Sequence, residues 1–463
     1  MDTIENRTFD EIQVGDSACL QRRLTARDIK LFAVMSGDVN PAHVDEDYAK
    51  SSRFHEVIAH GMWGGSLIST VLGTQLPGPG TIYLGQTLRF KRPVGLGDQV
   101  TVTVTVKEKD PEKSRLIFDC LCLNQEGETV ISGEAEVLAP TQKISRPRTI
   151  LPNVHLSERA HLHRLLEAVK RRNPVRTAVV HPVDRSSLLG AIAAAEAELI
   201  IPILIGPEHR IRTIAEQEGL DLQPYTLMTT EHSHAAAAKA VTMARGGEVN
   251  ALMKGSLHTD ELMRAVVDKK VGLRTERRIS HVFAFDVPTY TKPLFITDAA
   301  INIYPTLAHK RDIIQNAIDL AHALAIERPK VAILSAIETI APSITSTLDA
   351  AALCKMADRG QITGGIADGP LAFDNAVSLE AAHIKGITSP VAGQADILVV
   401  PDLEAGNMLA KQLEYLADAE GAGIVLGARV PIILTSRADD TITRLASCAI
   451  AIMLVQHQRE ALI

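Results

Sequence analysis

The sequence predicts two unlike domains: an antiparallel sheet wrapped around a buried helix, then a larger α/β unit on a mostly parallel sheet. Three observations predict it. Residues 81–138 alternate with period two, residues 61–76 are apolar or small almost all round, and everything beyond about 156 alternates short β-rich runs with Ala-rich helical stretches. The length of 463 residues points the same way, because single cores rarely grow past roughly 250–300 residues.

In the first third the clearest strand is Gln99-Val-Thr-Val-Thr-Val-Thr-Val-Lys107, a sheet covered on one face. Residues 81–94, 115–123 and 128–138 flank it, separated by turn-rich Gly95-Leu-Gly-Asp98 and Asn124-Gln-Glu-Gly127. A helix over 61–76 with no polar face is a buried helix, and Gly61, Gly64, Gly65, Ser66 and Ser69 let strands approach it. Residues 140–156 carry Lys143, Arg146, Arg148, Pro147 and Pro152 without periodicity, which predicts a linker. The domain boundaries are therefore 10–140 and 158–463, with 141–157 between them. In the second domain, strands are expected at 177–181, 199–206, 331–335, 396–400 and 423–427, with a helix over 186–198. About 300 residues is large for one sheet, so two lobes with a cleft are expected.

Composition excludes several classes. Net charge of −7 repels nucleic acid in bulk. No apolar run approaches the ~20 residues of a membrane span, and residues 1–13 hold no apolar signal core. Five scattered cysteines without a C-x-x-C pair suggest neither zinc ribbon nor disulfide framework. Cys120 and Cys122 fall on one strand face, as buried thiols. A reducing cytoplasm fits this usage.

Asp38 and His43 lie five apart with Asn40-Pro41 between them. Pro41 forces its neighbour out of helical geometry, so the two proton-handling groups can converge across a turn. Soon after, Ile58-Ala-His-Gly-Met62 enters the small-residue helix, whose unpaired N–H groups suit a developing thioester enolate. In isolation, an Asp and a His in a turn are more often an Asx-turn and a surface imidazole.

These residues reach a known family. Asp38-Val-Asn-Pro-Ala-His43, His60-Gly-Met62 and Leu76-Pro-Gly-Pro-Gly-Thr-Ile-Tyr-Leu-Gly-Gln86 resemble the MaoC-like (R)-specific enoyl-CoA hydratases, over residues 28–138. The resemblance implies an α+β hot-dog fold and a dimer. It also implies that Asp38 and His43 activate water, Ser69 supports them, and the Gly61 N–H binds the thioester oxygen. No metal is needed.

The second domain lacks the usual phosphate cradles. Lys254-Gly-Ser256 has the wrong order for a P-loop, and no G-x-G-x-x-G opens a helix. The His232-x-His234 pair lacks partner ligands. Three motifs stand out: Gly369-Pro-Leu-Ala-Phe-Asp-Asn-Ala-Val-Ser378, Pro401-Asp-Leu-Glu-Ala-Gly-Asn407 and Leu434-Thr-Ser-Arg-Ala-Asp439. The last two close strand-like runs, where open α/β sheets bind ligands. Arg437 can grip phosphate there through its planar fork. An Asp or Arg at a strand end is, taken singly, more often a cap or a surface ion pair.

Together these motifs resemble the phosphate acetyl/butyryltransferases over residues 158–463, nearer the butyryl branch at 369–378 and 434–439. The acetyl-type members carry an Asp where ungapped counting here gives Thr443. The resemblance implies a two-lobed α/β domain of isocitrate/isopropylmalate dehydrogenase-like architecture. The implied reaction is acyl-CoA plus phosphate giving acyl phosphate plus CoA, with CoA thioesters as substrates and no tightly bound cofactor. Ser436 and Arg437 would hold the phosphoryl group, Asp374 would orient or deprotonate the CoA thiol, and His258, Thr259 and Arg264 would line the CoA site. Two other readings are open: a metal-assisted dehydrogenase, which wants an Asp cluster not found here, and one active half beside a CoA-binding or oligomerisation module.

Overall fold

The computed structural model describes residues 3–152, 154, 156, 160–434 and 441–460. The chain divides into two compact units, Met1–Leu156 and Ser157–Ile463.

The first unit carries strands β1 (Thr3–Glu5), β2 (Ser17–Arg23), β3 (Ile82–Gln86), β4 (Arg89–Phe90), β5 (Gln99–Asp110), β6 (Arg115–Leu123), β7 (Thr129–Leu138) and β8 (Ser145–Pro147). The main sheet runs β2-β5-β6-β7-β3, antiparallel throughout, with β4 also on β7. Alternation along β5 is the cause: Val100, Val102, Val104 and Val106 are buried, while the intervening threonines face outward. They pack on the helix Gly61–Thr74 through Trp63, Leu67, Ile68, Val71 and Leu72. A Cβ on Gly64 would lie 2.4 Å from Ile131 Cδ1, so the bare glycine lets the sheet close on the helix.

Two expectations need correction. The helix is not buried all round: Gly61, Met62, Ser66, Ser69, Thr70 and Gly73 form an exposed stripe. Small residues lose little when left in water, and the hydroxyls of Ser66 and Thr70 donate back to the carbonyls of Trp63 and Ser66. Residues 141–157 are not all linker. Strand β8 pairs antiparallel with β1, and the Asn6 side chain bonds the backbone of residues 142 and 144. This ribbon is exposed on both faces, so it has no apolar period to betray it. Strand β2 also went unforeseen, being polar at most positions.

The second unit carries β9 (Val175–Val180), β10 (Ile200–Gly206), β11 (Thr226–Thr229), β12 (Ala251–Lys254), β13 (Ser280–Asp286), β14 (Leu294–Thr297), β15 (Lys330–Leu334), β16 (Ile366–Leu371), β17 (Ile397–Val399), β18 (Glu420–Leu426) and β19 (Ile432–Ile433). All join one sheet of order β11-β10-β9-β12-β19-β18-β13-β14-β17-β15-β16. Seven of its neighbour pairs are parallel; only β18 with β19 and β13, and β13 with β14, are antiparallel. A single sheet thus spans the unit, against the expectation that its length was too great for one. The reversals at β18 and β13 split it into two parallel runs that point in opposite directions. Near-continuous apolar strands such as Val175–Val180 and Ile200–Gly206 suit burial on both faces.

Candidate functional sites

The helix Ala26–Ser36 ends at Gly37, whose φ of +74° turns the chain sharply. Asp38 follows on an exposed turn, and its carboxylate accepts the Asn40 N–H at 3.2 Å. Asn40 then caps the short helix Pro41–Val44, its side chain accepting from the Ala42 N–H. His43 is thereby carried back across the turn, half-buried. Its Nδ1 lies 2.9 Å from the Ile58 carbonyl. A carbonyl only accepts, so Nδ1 carries the hydrogen and the neutral ring keeps its lone pair on Nε2.

Side-chain ligand atoms of Asp38, His43 and His60 all lie within 4.8 Å of one another. Among the described residues, these three form the cluster that could hold a cation. His60 precedes the central helix, buried, with its ring 4.1 Å from that of His43. Beside them opens a cavity of about 220 Å³ lined by His43, His60, Gly61, Trp63, Phe90 and Ile131. Gly61 begins the helix, where N–H groups have no intrahelical acceptor. A Cβ there would lie 3.0 Å from the Phe90 ring.

Asp38, His43 and Gly61 therefore share one location. Ser69 does not. It stands on the exposed stripe eight residues along the helix from Gly61, roughly 12 Å at 1.5 Å per residue. His60 was quoted only as part of a motif; its burial is what marks it.

In the second unit, Lys254 and Leu434 leave the sheet side by side, because β12 and β19 are parallel neighbours with Met253 opposite Ile433. Lys254 is buried. The chain then runs through Gly255, where a Cβ would lie 2.4 Å from the Val180 carbonyl oxygen, to His258 and the helix Thr259–Val266. His258, Thr259 and Arg264 thus belong to the strand end next to β19, with His258 and Arg264 exposed. Ser436 and Arg437 lie outside the described residues.

His181 sits at the end of β9, the next strand over. It is buried with φ +59°, its N–H bonds the Ile205 carbonyl at 2.7 Å, and its Nδ1 has no partner. Burial holds this imidazole below its usual pKa, with Arg210 adding to the effect. Neither His181 nor Lys254 was singled out as a site residue; a basic side chain closing an apolar strand was the available signal. His232 has a structural job, accepting the Ala235 N–H as cap of the helix Ser233–Arg245.

Asp374 lies elsewhere. It is on the short helix Phe373–Val377 after the edge strand β16, exposed, 3.5 Å from Lys385 Nζ. Six strand intervals separate β16 from β19, roughly 29 Å along the sheet. The two strands also run in opposite senses. The structure does not bring Asp374 to the end of β19, because a motif at a strand end says nothing of which end of the sheet that is.

Comparison with known proteins supplies the family. The model for phosphate acetyl/butyryl transferases matches residues 230–452, and that for MaoC-like domains matches residues 13–117. A phosphate acetyltransferase of Rhizobium meliloti is 62% identical over 298 residues, 64% of this chain and 94% of that protein. A phosphate butyryltransferase of Clostridium acetobutylicum is 41% identical over 294 residues, 98% of its length. Whole-domain identity is thus higher to the acetyl-named relative, opposite to the local reading at 369–378. Among solved structures, a branched-chain phosphotransacylase from Enterococcus faecalis is 29% identical, covering 61% of this chain and 99% of that one at a TM-score of 0.54. R-hydratase PhaJ1 from Pseudomonas aeruginosa is 47% identical over 34% of this chain and all of its own, at a TM-score of 0.33. The chain belongs to the phosphate acetyl/butyryltransferase family and carries a MaoC-like hot-dog domain ahead of its transacylase domain.

Proposed function

We propose that the protein is a bifunctional acyl-CoA enzyme: the first unit reversibly hydrates trans-2-enoyl-CoA to (R)-3-hydroxyacyl-CoA, and the second transfers acyl groups between CoA and phosphate. The observation that carries the hydratase reading is the convergence of the Asp38 carboxylate and the His43 imidazole beside the start of the central helix. His43 Nε2 takes a proton from water, the oxygen bonds C3 of the enoyl group, and a proton is delivered to C2. The Gly61 N–H, unpaired and at the positive end of the helix, favours the enolate oxygen in between. Arg53, Lys91 and Arg92 line the same cavity, and their charge suits the phosphates of CoA. Asp38→Asn should lower crotonyl-CoA hydration by at least about 100-fold; full retention of the rate removes the assignment.

Acyl transfer rests on family membership. A phosphate oxygen attacks the thioester carbonyl, the C–S bond breaks, and the thiolate leaves as CoA. Catalysis is chiefly placement of two anions and offset of their charge. Ser436 and Arg437 would hold the phosphoryl group, and the adjacent strand end from Lys254 to Arg264 is a fitting place for CoA. This reading is falsified if Arg437→Ala leaves CoA-dependent acyl phosphate formation untouched.

A dimer of the first unit is supported by Ile82, Tyr83 and Leu84, which expose apolar side chains on β3, an edge of its sheet. Leu84→Lys should shift sedimentation toward a smaller species.

A further inference from the structure

Three hydrogen bonds tie residues 38–43 to residues 58–60. The Ile58 N–H donates to the Ala42 carbonyl at 3.4 Å, His43 Nδ1 to the Ile58 carbonyl at 2.9 Å, and His60 Nε2 to the Asp38 carbonyl at 3.0 Å. Only the last reaches Asp38. Its turn is exposed, and the other bonds on Asp38 are local ones: its N–H donates to Ser36 Oγ at 3.2 Å and its carboxylate accepts from the Asn40 N–H.

His60 is placed for this task and relieved of the usual one. It occupies the cap position of the helix Gly61–Thr74, yet its side chain makes no cap hydrogen bond. The imidazole turns back instead and is 2% exposed. Its ring centroid lies 4.1 Å from that of His43 and 5.0 Å from that of Phe32, each pair tilted by 36°. Because the Asp38 carbonyl only accepts, Nε2 carries the hydrogen, and Nδ1 is left buried without a partner. A buried nitrogen without a partner has a desolvation cost, which asparagine or serine at this cap would avoid.

We propose that His60 is a positioning residue of the hydratase, fixing the backbone of Asp38 through Nε2–H and the ring plane of His43 by stacking. The inference rests on the hydratase reading of Asp38 and His43. Its chemical content is that both members of the proton-handling pair are held by one side chain that itself exchanges no proton with substrate. Freeing the pair displaces it from water and the enoyl group, and a shift of about 1 Å in such a site can cost on the order of 100-fold in rate.

The test uses the intact protein with crotonyl-CoA and compares wild type, Asp38→Asn, His60→Phe and His60→Gln. Phenylalanine keeps the stack and loses the donor; the glutamine amide nitrogen can occupy the place of Nε2. His60→Phe should lower kcat by about 10–100-fold with KM within about twofold, and His60→Gln should recover about tenfold of that loss. Trp63, the chain's one tryptophan, lies three residues away, so its unchanged emission certifies that the helix start is formed. Should His60→Phe disturb that emission, His60→Leu against His60→Gln makes the same comparison with a smaller side chain. Wild-type kcat in the donor-less variant, or equal loss in it and in His60→Gln, overturns the proposal. If wild type is no faster than Asp38→Asn, the hydratase reading itself falls and takes this inference with it.

Discussion

His281 makes the acid stability of the second unit measurable at one residue. It lies on β13, is 1% exposed, and neither ring nitrogen has a hydrogen-bond partner. Phe283 meets it edge-on at 4.4 Å, and its Nε2 would lie 3.0 Å from a Cβ on Gly423. Burial pushes its pKa down to about 3, against about 6.5 in the unfolded chain. Between those values the unfolded state binds a proton that the folded state refuses. The sign follows: stability rises with pH across this window and is lost as pH falls from about 6.5 toward 3. One proton is worth about 1.4 kcal/mol per pH unit, so the full span is on the order of 5 kcal/mol, an upper bound. His281→Leu removes the titration without adding a polar group. Unfolding by denaturant, followed by far-UV circular dichroism from pH 4.5 to 7.5, should give a variant whose stability gains less with pH, by about 1.4 kcal/mol per unit well below about pH 6.5 and by little above it. Asp298, buried nearby with its carboxyl pushed upward by burial, has the opposite sign but is common to both proteins and cancels in the difference. Trp63 emission separates the transition of the first unit. Parallel pH profiles for wild type and variant would show that His281 titrates normally, and the reasoning from burial would be wrong.

Gly64→Ala places a methyl group 2.4 Å from Ile131 Cδ1 and pushes that side chain toward the cavity that both residues line. The expected outcome is a kcat/KM for octenoyl-CoA that falls about tenfold further than that for crotonyl-CoA; equal loss for both chains refutes it. Gly133→Ala sets a Cβ 1.8 Å from the Thr87 carbonyl oxygen, a backbone contact that no rotamer relieves. Destabilisation of the first unit by about 3 kcal/mol or more should appear in Trp63-monitored denaturation. Lys310 is almost fully buried and pairs with Asp349 at 2.8 Å. Asp349→Asn leaves the ammonium without its counter-charge and should cost about 3 kcal/mol, whereas replacing both members, Lys310→Met with Asp349→Leu, should be nearly neutral, as read from the melting of the second unit.

The strands most legible in the sequence were those whose burial is written as a period. The valines of β5 and the near-continuous apolar runs of β9 and β10 leave one arrangement that hides them. Strands β1, β2 and β8 were illegible because their residues are mostly exposed, and hydrogen bonding alone defines them. In the site, Pro41 announced that Asp38 and His43 could meet across a turn. Nothing in local pattern announced His60, since its value lies in a bond to a carbonyl 22 residues away.

By itself, then, the sequence determined which segments bury an apolar face, that the chain holds two domains of different rhythm, and which short motifs carry proton-handling and anion-binding side chains. Those properties depend on neighbours within a few residues, so they can be read in one dimension. Only the tertiary structure decided that Ser69 stands about two turns along the helix from Gly61, that Asp374 and the end of β19 lie six strands apart, and that His181 and Lys254 close the strands beside it. Sheet order and strand direction are set by the packing of whole faces, which no spacing between residues encodes.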